Sequence, residues 1–333
     1  YKPTMKKLLT SAAAAAMMAF ALPMHAETAT PATTDDPYVA YLFTYFTGNH
    51  GDEEAVRYAI SEDGYNYKAL NGNRPVIDSK KISVTGGVRD PHLLRGEDGA
   101  FYMVLTDMVS DRGWDSNRGL ILLRSTDLIN WTHSAIHFPD RYKGQQDLKR
   151  VWAPQTIYDP EAGKYLVYFS LQYANEPDII HYAYANADFT DLEGEPYPMF
   201  IPHDKKSCID GDIVPFKGKY HMFYKTEGHG NGIKVATTES LTSGKWVESP
   251  DYKQLTKDAV EGAGTFKLIG QDRFILMYDV YMNKRYEFTE TTDLETFYPA
   301  SQEVTMDFHP RHGTVIPIRA SELARLREAY PEK

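Results

Sequence analysis

The chain has one cysteine, Cys208. That excludes an intramolecular disulfide and any multi-thiolate zinc site, and leaves Cys208 as a small buried apolar residue. Beyond residue 24 no stretch approaches the roughly 18 apolar residues that a membrane-crossing helix needs. Positive charge is also short. In 333 residues, 36 Lys and Arg face 46 Asp and Glu, a formal net charge of −10. Such a chain does not seek nucleic acid or anionic lipid, and it suits a neutral substrate. The glycine-rich stretch Thr226-Glu-Gly-His-Gly-Asn-Gly232 has no phosphate-loop pattern.

What is present begins with an N-terminal signal. A basic pair, Lys6-Lys7, precedes an apolar run from Leu8 to Met24 and a small-residue site ending at Ala26. This predicts a secretory signal peptide over residues 1–26, export to the periplasm or outside the cell, and no membrane insertion after cleavage. The run is rich in alanine and marginal as a span, which disfavours a membrane anchor. Cleavage removes three lysines and no acid, moving the formal charge from −10 to −13. Residues 27–36 are small and polar and read as a flexible leader. Residues 37–333 then form a single domain.

Three short patterns recur five times in that domain, about 50–65 residues apart. One is a strand followed by a Ser/Thr/Asn-rich turn with an acid and a bulky residue, as in Arg57–Tyr67, Leu122–Trp131, Tyr182–Leu192, Val235–Trp246 and Tyr286–Phe297. The second is an aromatic β-forming run: 38–44, 101–106, 164–170, 217–224 and 273–278. The third precedes those runs at 92–95, 156–158, 213–216, 265–268 and 314–318. Radial sheets of about four strands satisfy this repeat, so the predicted fold is all-β, a five-bladed β-propeller. A β-sandwich also uses short strands, but it does not explain a five-fold repeat with displaced ends. The first run lacks an inner strand before it, and the last inner strand lacks a partner after it. Pairing of the C-terminal strand with the N-terminal strand closes the ring. Residues 319–329 read as a short helix, with Ser321 as a possible cap.

In a propeller the inner strands line a central channel. Aligning the repeats puts Asp90, Gln155, Asp210, Glu261 and His312 at the equivalent strand starts. Three carboxylates converging on one axis repel each other, and desolvation raises their pKa values. Calcium binding is one outlet for such a cluster. Acid–base catalysis is another, because inverting glycoside hydrolysis needs one protonated and one ionised carboxyl group.

At this point the sequence resembles glycoside hydrolase family 43. The matching pieces are Val88-Arg-Asp-Pro-His-Leu-Leu-Arg95, Val151-Trp-Ala-Pro-Gln155, Cys208-Ile-Asp-Gly-Asp212, Val260-Glu-Gly-Ala-Gly264 and Pro310-Arg-His-Gly-Thr-Val315. The resemblance implies a five-bladed propeller over residues 38–318. It implies that Asp90 is the general base, Glu261 the general acid, and Asp210 the acid that orients Glu261 and tunes it. It implies that His312 lies near the axis, where many members hold calcium or another ion through water. No cofactor is otherwise required. Family members invert configuration, so base and acid should sit roughly 6.5–9.5 Å apart. Two departures stand out. Gln155 occupies a position where the family commonly has an Asp that touches substrate, which makes Gln155 a substrate-binding candidate and a pointer to a different sugar at the −1 subsite, and Gly211-Asp212 follow Asp210 where a proline is common. Asp212 therefore remains a rival to Asp210.

The remaining substrate-binding candidates are Trp152 and Trp114 as sugar-stacking surfaces, Arg311 beside His312, and His229 in the glycine-rich turn. Arg89 is a weaker candidate. The family includes arabinofuranosidases, xylosidases, arabinanases and exo-galactosidases. The expected activity is exo-α-L-arabinofuranosidase on plant-type polysaccharide side chains, with β-xylosidase or exo-β-galactosidase as alternatives. A fructosidase-like propeller is disfavoured, because its Asn-Asp-Pro and Glu-Cys motifs are missing. A non-catalytic carbohydrate-binding propeller is the reading of another class. The expected state is a monomer whose partner is a carbohydrate.

Overall fold

The computed structural model describes residues 35–332. The predicted signal peptide and most of the predicted leader lie outside the described residues. Five four-stranded antiparallel sheets make up nearly all of the regular structure. The first sheet holds β1 (Tyr38–Tyr45), β2 (Arg57–Ser61) and β3 (Lys68–Ala69). The second holds β4 (Val88–Arg95), β5 (Phe101–Asp107), β6 (Gly119–Ser125) and β7 (Thr132–His137). In the third are β8 (Leu148–Asp159), β9 (Lys164–Tyr173), β10 (Ile179–Ala185) and β11 (Leu192–Phe200). The fourth contains β12 (Cys208–Phe216), β13 (Lys219–Thr226), β14 (Ile233–Thr238) and β15 (Val247–Glu248). The fifth contains β16 (Glu261–Lys267), β17 (Phe274–Val280), β18 (Arg285–Thr291) and β19 (Tyr298–Pro299). The last strand, β20 (Thr314–Arg319), returns to the first sheet and pairs with β1, from Tyr38 opposite Arg319 to Thr44 opposite Thr314.

The inner strands touch in the order β20, β4, β8, β12, β16 and back to β20. This is a closed five-bladed propeller, with the closure expected from the displaced repeats. Blades stack face to face, so a second strand such as β5 is buried on both faces and its sequence is a continuous apolar run. The outermost β7 is largely exposed and correspondingly polar. Five apolar clusters fill the gaps between neighbouring blades. Phe43 and Tyr67 of the first blade meet Phe288 and Met277 of the fifth in one of them, so the seam is packed as well as hydrogen-bonded.

The recurring acid-bearing turn has a local cause. Asp63, Asp127 and Asp293 each accept two backbone N–H groups, from the residues two and three further on, at 2.7–2.9 Å. Ser61, Ser125 and Thr291 hydroxyls accept the N–H groups of those aspartates and their successors. The side chains replace the ladder where the third strand turns into the fourth.

The C-terminal helix spans Ala320–Ala329. Ser321 is not its cap. Arg319 holds that position, and Asp36 takes the Ser321 backbone N–H at 2.9 Å and hydroxyl at 2.6 Å. Among the described residues, no helix is long and apolar enough to cross a membrane.

Candidate functional site

Four of the inner strands carry the same irregularity. The pairing register shifts between Arg89 and His92, Trp152 and Gln155, Ile209 and Asp212, and Glu261 and Gly264. At each shift one residue takes a left-handed conformation: Asp90 (φ 51°), Ala153 (φ 46°), Asp210 (φ 55°) and Gly262 (φ 62°). These are β-bulges, which re-aim side chains at the end of a strand. Gly262 has a second constraint, because a Cβ there would sit 2.7–2.9 Å from the His312 side chain.

The bulges set the true equivalence of the blades. Asp90 and Asp210 match each other and Ala153. Gln155 lies opposite Tyr168 as Asp212 lies opposite Phe223, so these two match one another, one step deeper in the channel. The alignment of Gln155 with Asp210 is therefore corrected: the hairpin after β8 turns through four residues, 160–163, where that after β12 turns through two, 217–218, so counting back from β9 and β13 sets Gln155 two residues out of step. Glu261 stands one residue before the matching position, which Gly262 occupies. Gln155 is buried at 2% exposure. With its amide nitrogen turned toward the acceptors around it, it donates to Asp212 Oδ1 at 3.0 Å and the Gly211 carbonyl at 3.2 Å. It links blades beneath the site.

Asp90, Asp210, Glu261, Arg311 and His312 come together at one end of the channel. His312 Nδ1 lies 3.4 Å from Asp90 Oδ1 and 3.9 Å from Asp210 Oδ2. The Thr106 hydroxyl donates to Asp90 Oδ2 at 2.7 Å and accepts from the Ala153 N–H at 2.9 Å. Asp210 Oδ2 accepts the Gly262 N–H at 3.0 Å, which ties it to the backbone next to Glu261. Glu261 Oε1 accepts from Arg311 at 2.9 Å, and its Oε2 lies 3.4 Å from Lys225 Nζ.

The carboxyl groups differ sharply in environment. Burial works to raise Asp90, but His312, Arg89 and the Thr106 hydroxyl outweigh it and hold Asp90 below its ordinary value. Asp210 is pushed up to about 6 by burial, against the pull of His312 and with the repulsion of Glu261 and Asp90. Burial disfavours the charge on His312, yet Asp210, Asp90 and Glu261 raise it to about 9. His92, deeper in the channel, is pushed down to about 3 by burial and by His312. Asp90 is thus held ionised, as a general base must be, beside an Asp210 that keeps its proton to higher pH than an ordinary carboxyl group does.

The other predicted residues form the surroundings. Trp152 donates from Nε1 to Asn117 at 2.8 Å and is covered by Arg150, 3.6 Å from the ring centroid. Trp114 is 52% exposed and stands edge-on to Trp152 at 6.3 Å, on the rim. Arg89 pairs with Glu54 at 3.0 Å and packs between Phe46 and Trp114. His229 is not in the cluster; its ring contacts the Glu227 carbonyl and Asp204.

Sequence reasoning missed Thr106, Lys225 and Asp279, all on second strands. Arg311 Nε donates to Asp279 Oδ2 at 2.6 Å. Burial pushes Asp279 up to about 7 despite Arg311. Each of the three is a polar residue at the end of an aromatic run, where it reads as an ordinary strand terminus. An axial ion would need donors. The His312 Nδ1 is turned to Asp90 and Asp210, and among the described residues no group of three or more His, Cys, Asp or Glu is disposed to hold a metal. The side chains do not fit a directly ligated ion. A separate cavity of about 830 Å³ opens where the inner strands end, lined by residues such as Phe216, Leu268 and Ile316. Asp90, Asp210 and Glu261 do not line it.

The model of a family described as "Probable glycosyl hydrolase domain", related to glycoside hydrolase family 43, matches residues 36–324. An α-L-arabinofuranosidase of Bifidobacterium longum subsp. longum is 25% identical over 256 residues, 69% of this chain and 23% of that protein. The chain thus spans less than a quarter of that relative. The fold is similar to that of a candidate exo-β-1,3-galactanase from Bifidobacterium bifidum (TM-score 0.59, 11% identity, 80% of this chain and 90% of that one). It is also similar to an α-L-arabinofuranosidase from Clostridium thermocellum (TM-score 0.54, 12% identity, 87% and 95%).

Proposed function

The chain belongs to the probable glycosyl hydrolase domains related to glycoside hydrolase family 43, a family of glycosidases, and from that premise we propose that it is an inverting exo-α-L-arabinofuranosidase in which Asp90 is the base, Glu261 the acid and Asp210 the residue that places the acid. One observation carries the assignment: Asp90 lies 3.4 Å from the His312 ring and is held ionised, as a base must be, while Asp210 accepts the Gly262 N–H next to Glu261. Asp90 takes a proton from a water as that water attacks the anomeric carbon. Glu261 gives its proton to the glycosidic oxygen as the carbon–oxygen bond breaks on the opposite face. The sugar leaves inverted, and the two carboxyl groups regain their starting states by exchange with solvent. Asp210 takes no proton from substrate. Its bond to the Gly262 N–H fixes the backbone that aims Glu261. The similarity to the B. longum α-L-arabinofuranosidase supports arabinose as the sugar.

A panel of aryl glycosides and arabinan, xylan and galactan oligosaccharides tests this reading. Cleavage of the arabinofuranosides with inversion, followed by NMR, is the expected result. Asp90→Ala and Glu261→Ala should each lower kcat/KM on an arabinan oligosaccharide about 10³-fold. Full activity in Glu261→Ala rejects its role. A native protein that binds but cleaves nothing in the panel supports the carbohydrate-binding alternative.

A further inference from the structure

Both oxygens of Glu261 face a cation, and behind each cation stands another carboxylate. Arg311 reaches Glu261 Oε1 at 2.9 Å and Asp279 Oδ2 at 2.6 Å. Lys225 Nζ lies 3.4 Å from Glu261 Oε2 and 2.6 Å from Glu227 Oε2. The result is a row of five alternating charges, Glu227, Lys225, Glu261, Arg311 and Asp279. It runs from β13 and its following turn, across β16, to the segment before β20 and back to β17. This is not a surface network. Asp279 is fully buried and Lys225 is 3% exposed.

The alternation matters because a general acid must hold a proton before it acts. A buried cation and a half-buried one facing a carboxyl group favour its ionised form. Were Glu261 their only counter-charge, its protonation would leave both cations uncompensated in a poorly solvated place. With the outer carboxylates present, protonating Glu261 leaves two neutral pairs, Lys225 with Glu227 and Arg311 with Asp279. We infer that Glu227 and Asp279 are positioning residues that let Glu261 carry its proton by each neutralising one of the cations beside it, and that Lys225 sets how far up in pH the proton is kept. The inference rests on the assignment of Glu261 as the acid. The other groups around Glu261 are Asp210 from β12, Asp90 from β4, His312, and Tyr281 after β17, whose ring centroid is 5.1 Å from Lys225 Nζ. None of these is altered in the test.

The test is the alkaline limb of kcat/KM against pH, which reports loss of the essential proton in the free enzyme. It is measured on the phenyl glycoside of whichever sugar the panel identifies. Glu227→Gln adds one net positive charge near Glu261 and should move the limb down by about one pH unit. At a fixed pH above the limb that is about a tenfold loss, recovered on acidification. Lys225→Met removes a positive charge and should move the limb up. Glu227→Asp, which keeps the charge, should restore the native limb. Asp279→Asn should shift it in the same direction as Glu227→Gln, but by less, because Asp279 already titrates near neutrality. Should Asp279→Asn not fold, the Glu227 and Lys225 variants decide alone. A purely structural role lowers kcat/KM at every pH and leaves the limb in place; that result, or shifts of the same sign in Glu227→Gln and Lys225→Met, overturns the inference. Glu261→Gln separates the two levels. If the limb persists in Glu261→Gln, the acid assignment has failed. If it disappears there but stays fixed in Glu227→Gln, only the present inference has.

Discussion

His312 governs the electrostatics of the axis. Burial opposes its charge, but Asp210, Asp90 and Glu261 raise it from 6.5 to about 9. The folded state thus binds this proton more tightly than the unfolded chain does. Its contribution to stability is complete below about pH 6.5 and is lost as pH rises through about 9, with a size of order 3 kcal/mol. Asp210 titrates in a lower window. Its value is raised to about 6, so its contribution falls as pH rises from about 4 to 6. His312→Gln should therefore flatten the decline in thermal stability between pH 6.5 and 9, followed as Tm against pH. An undiminished slope in that variant would assign the decline to another group. The acids and His312 were legible in the sequence because each stands at or next to the start of an inner strand in a five-copy repeat. Lys225 and Asp279 were not, since their strands read as buried apolar runs, and a polar residue ending such a run looks like an ordinary strand terminus. Gln155 was misplaced because the hairpin between β8 and β9 is two residues longer than that between β12 and β13, and extra turn residues change spacing without leaving any distinctive signature.

At the scale of elements, the C-terminal helix is held by few but strong contacts. Arg95 on β4 forms two bonds of 2.7 Å with Glu322, one to each carboxylate oxygen, and both side chains are largely enclosed. Glu322 Oε2 also accepts the Arg319 N–H at 2.8 Å, and Arg95 packs on Phe101 and Tyr38. Removing one partner of a buried bidentate pair leaves the other charge uncompensated, which typically costs about 3–5 kcal/mol. Glu322→Ala should lose about that much in urea unfolding, and Glu322→Gln distinctly less, since it keeps the shape and one hydrogen bond. Equal losses in both variants would show that packing, not charge, holds the helix. The helix itself was readable from residues 319–329. The role of Ser321 was not, because its partner Asp36 lies 285 positions away in sequence, and no local pattern announces such a partner. The blade turns were readable for the opposite reason. Those at Asp63, Asp127 and Asp293 are each closed by side chains within three residues, so the chemistry and the sequence pattern coincide.

The whole molecule depends on one seam. Every blade but the first is built from contiguous sequence, while the first needs β20 to cover the inner edge of β1. The seam and the site share a segment, since Arg311 and His312 lie just before β20 and Thr314 donates to the Pro91 carbonyl at 2.9 Å. Ending the chain after Gly313 would remove Val315, Ile316, Ile318, Leu323 and Leu326 from two of the inter-blade clusters. At about 1.5–3 kcal/mol for each fully buried side chain, the loss is of order 10 kcal/mol. That is comparable with the entire net stability of a typical domain. It would also expose β1 as an unpaired apolar edge. The shortened chain should lack a cooperative calorimetric transition and should self-associate on size-exclusion chromatography. Loss of the seam is distinguishable from mere loss of residues. A circular permutant that starts at residue 76, between the first and second blades, and joins residue 332 to residue 36 through a flexible linker keeps every strand and moves the chain ends elsewhere. Because Tyr38 already lies opposite Arg319, that joining asks for no rearrangement of β1 and β20. The permutant should fold cooperatively and cleave the same panel substrate as the native chain. If it unfolds without cooperativity while the chain ending at Gly313 melts normally, the ring is not held together by this seam.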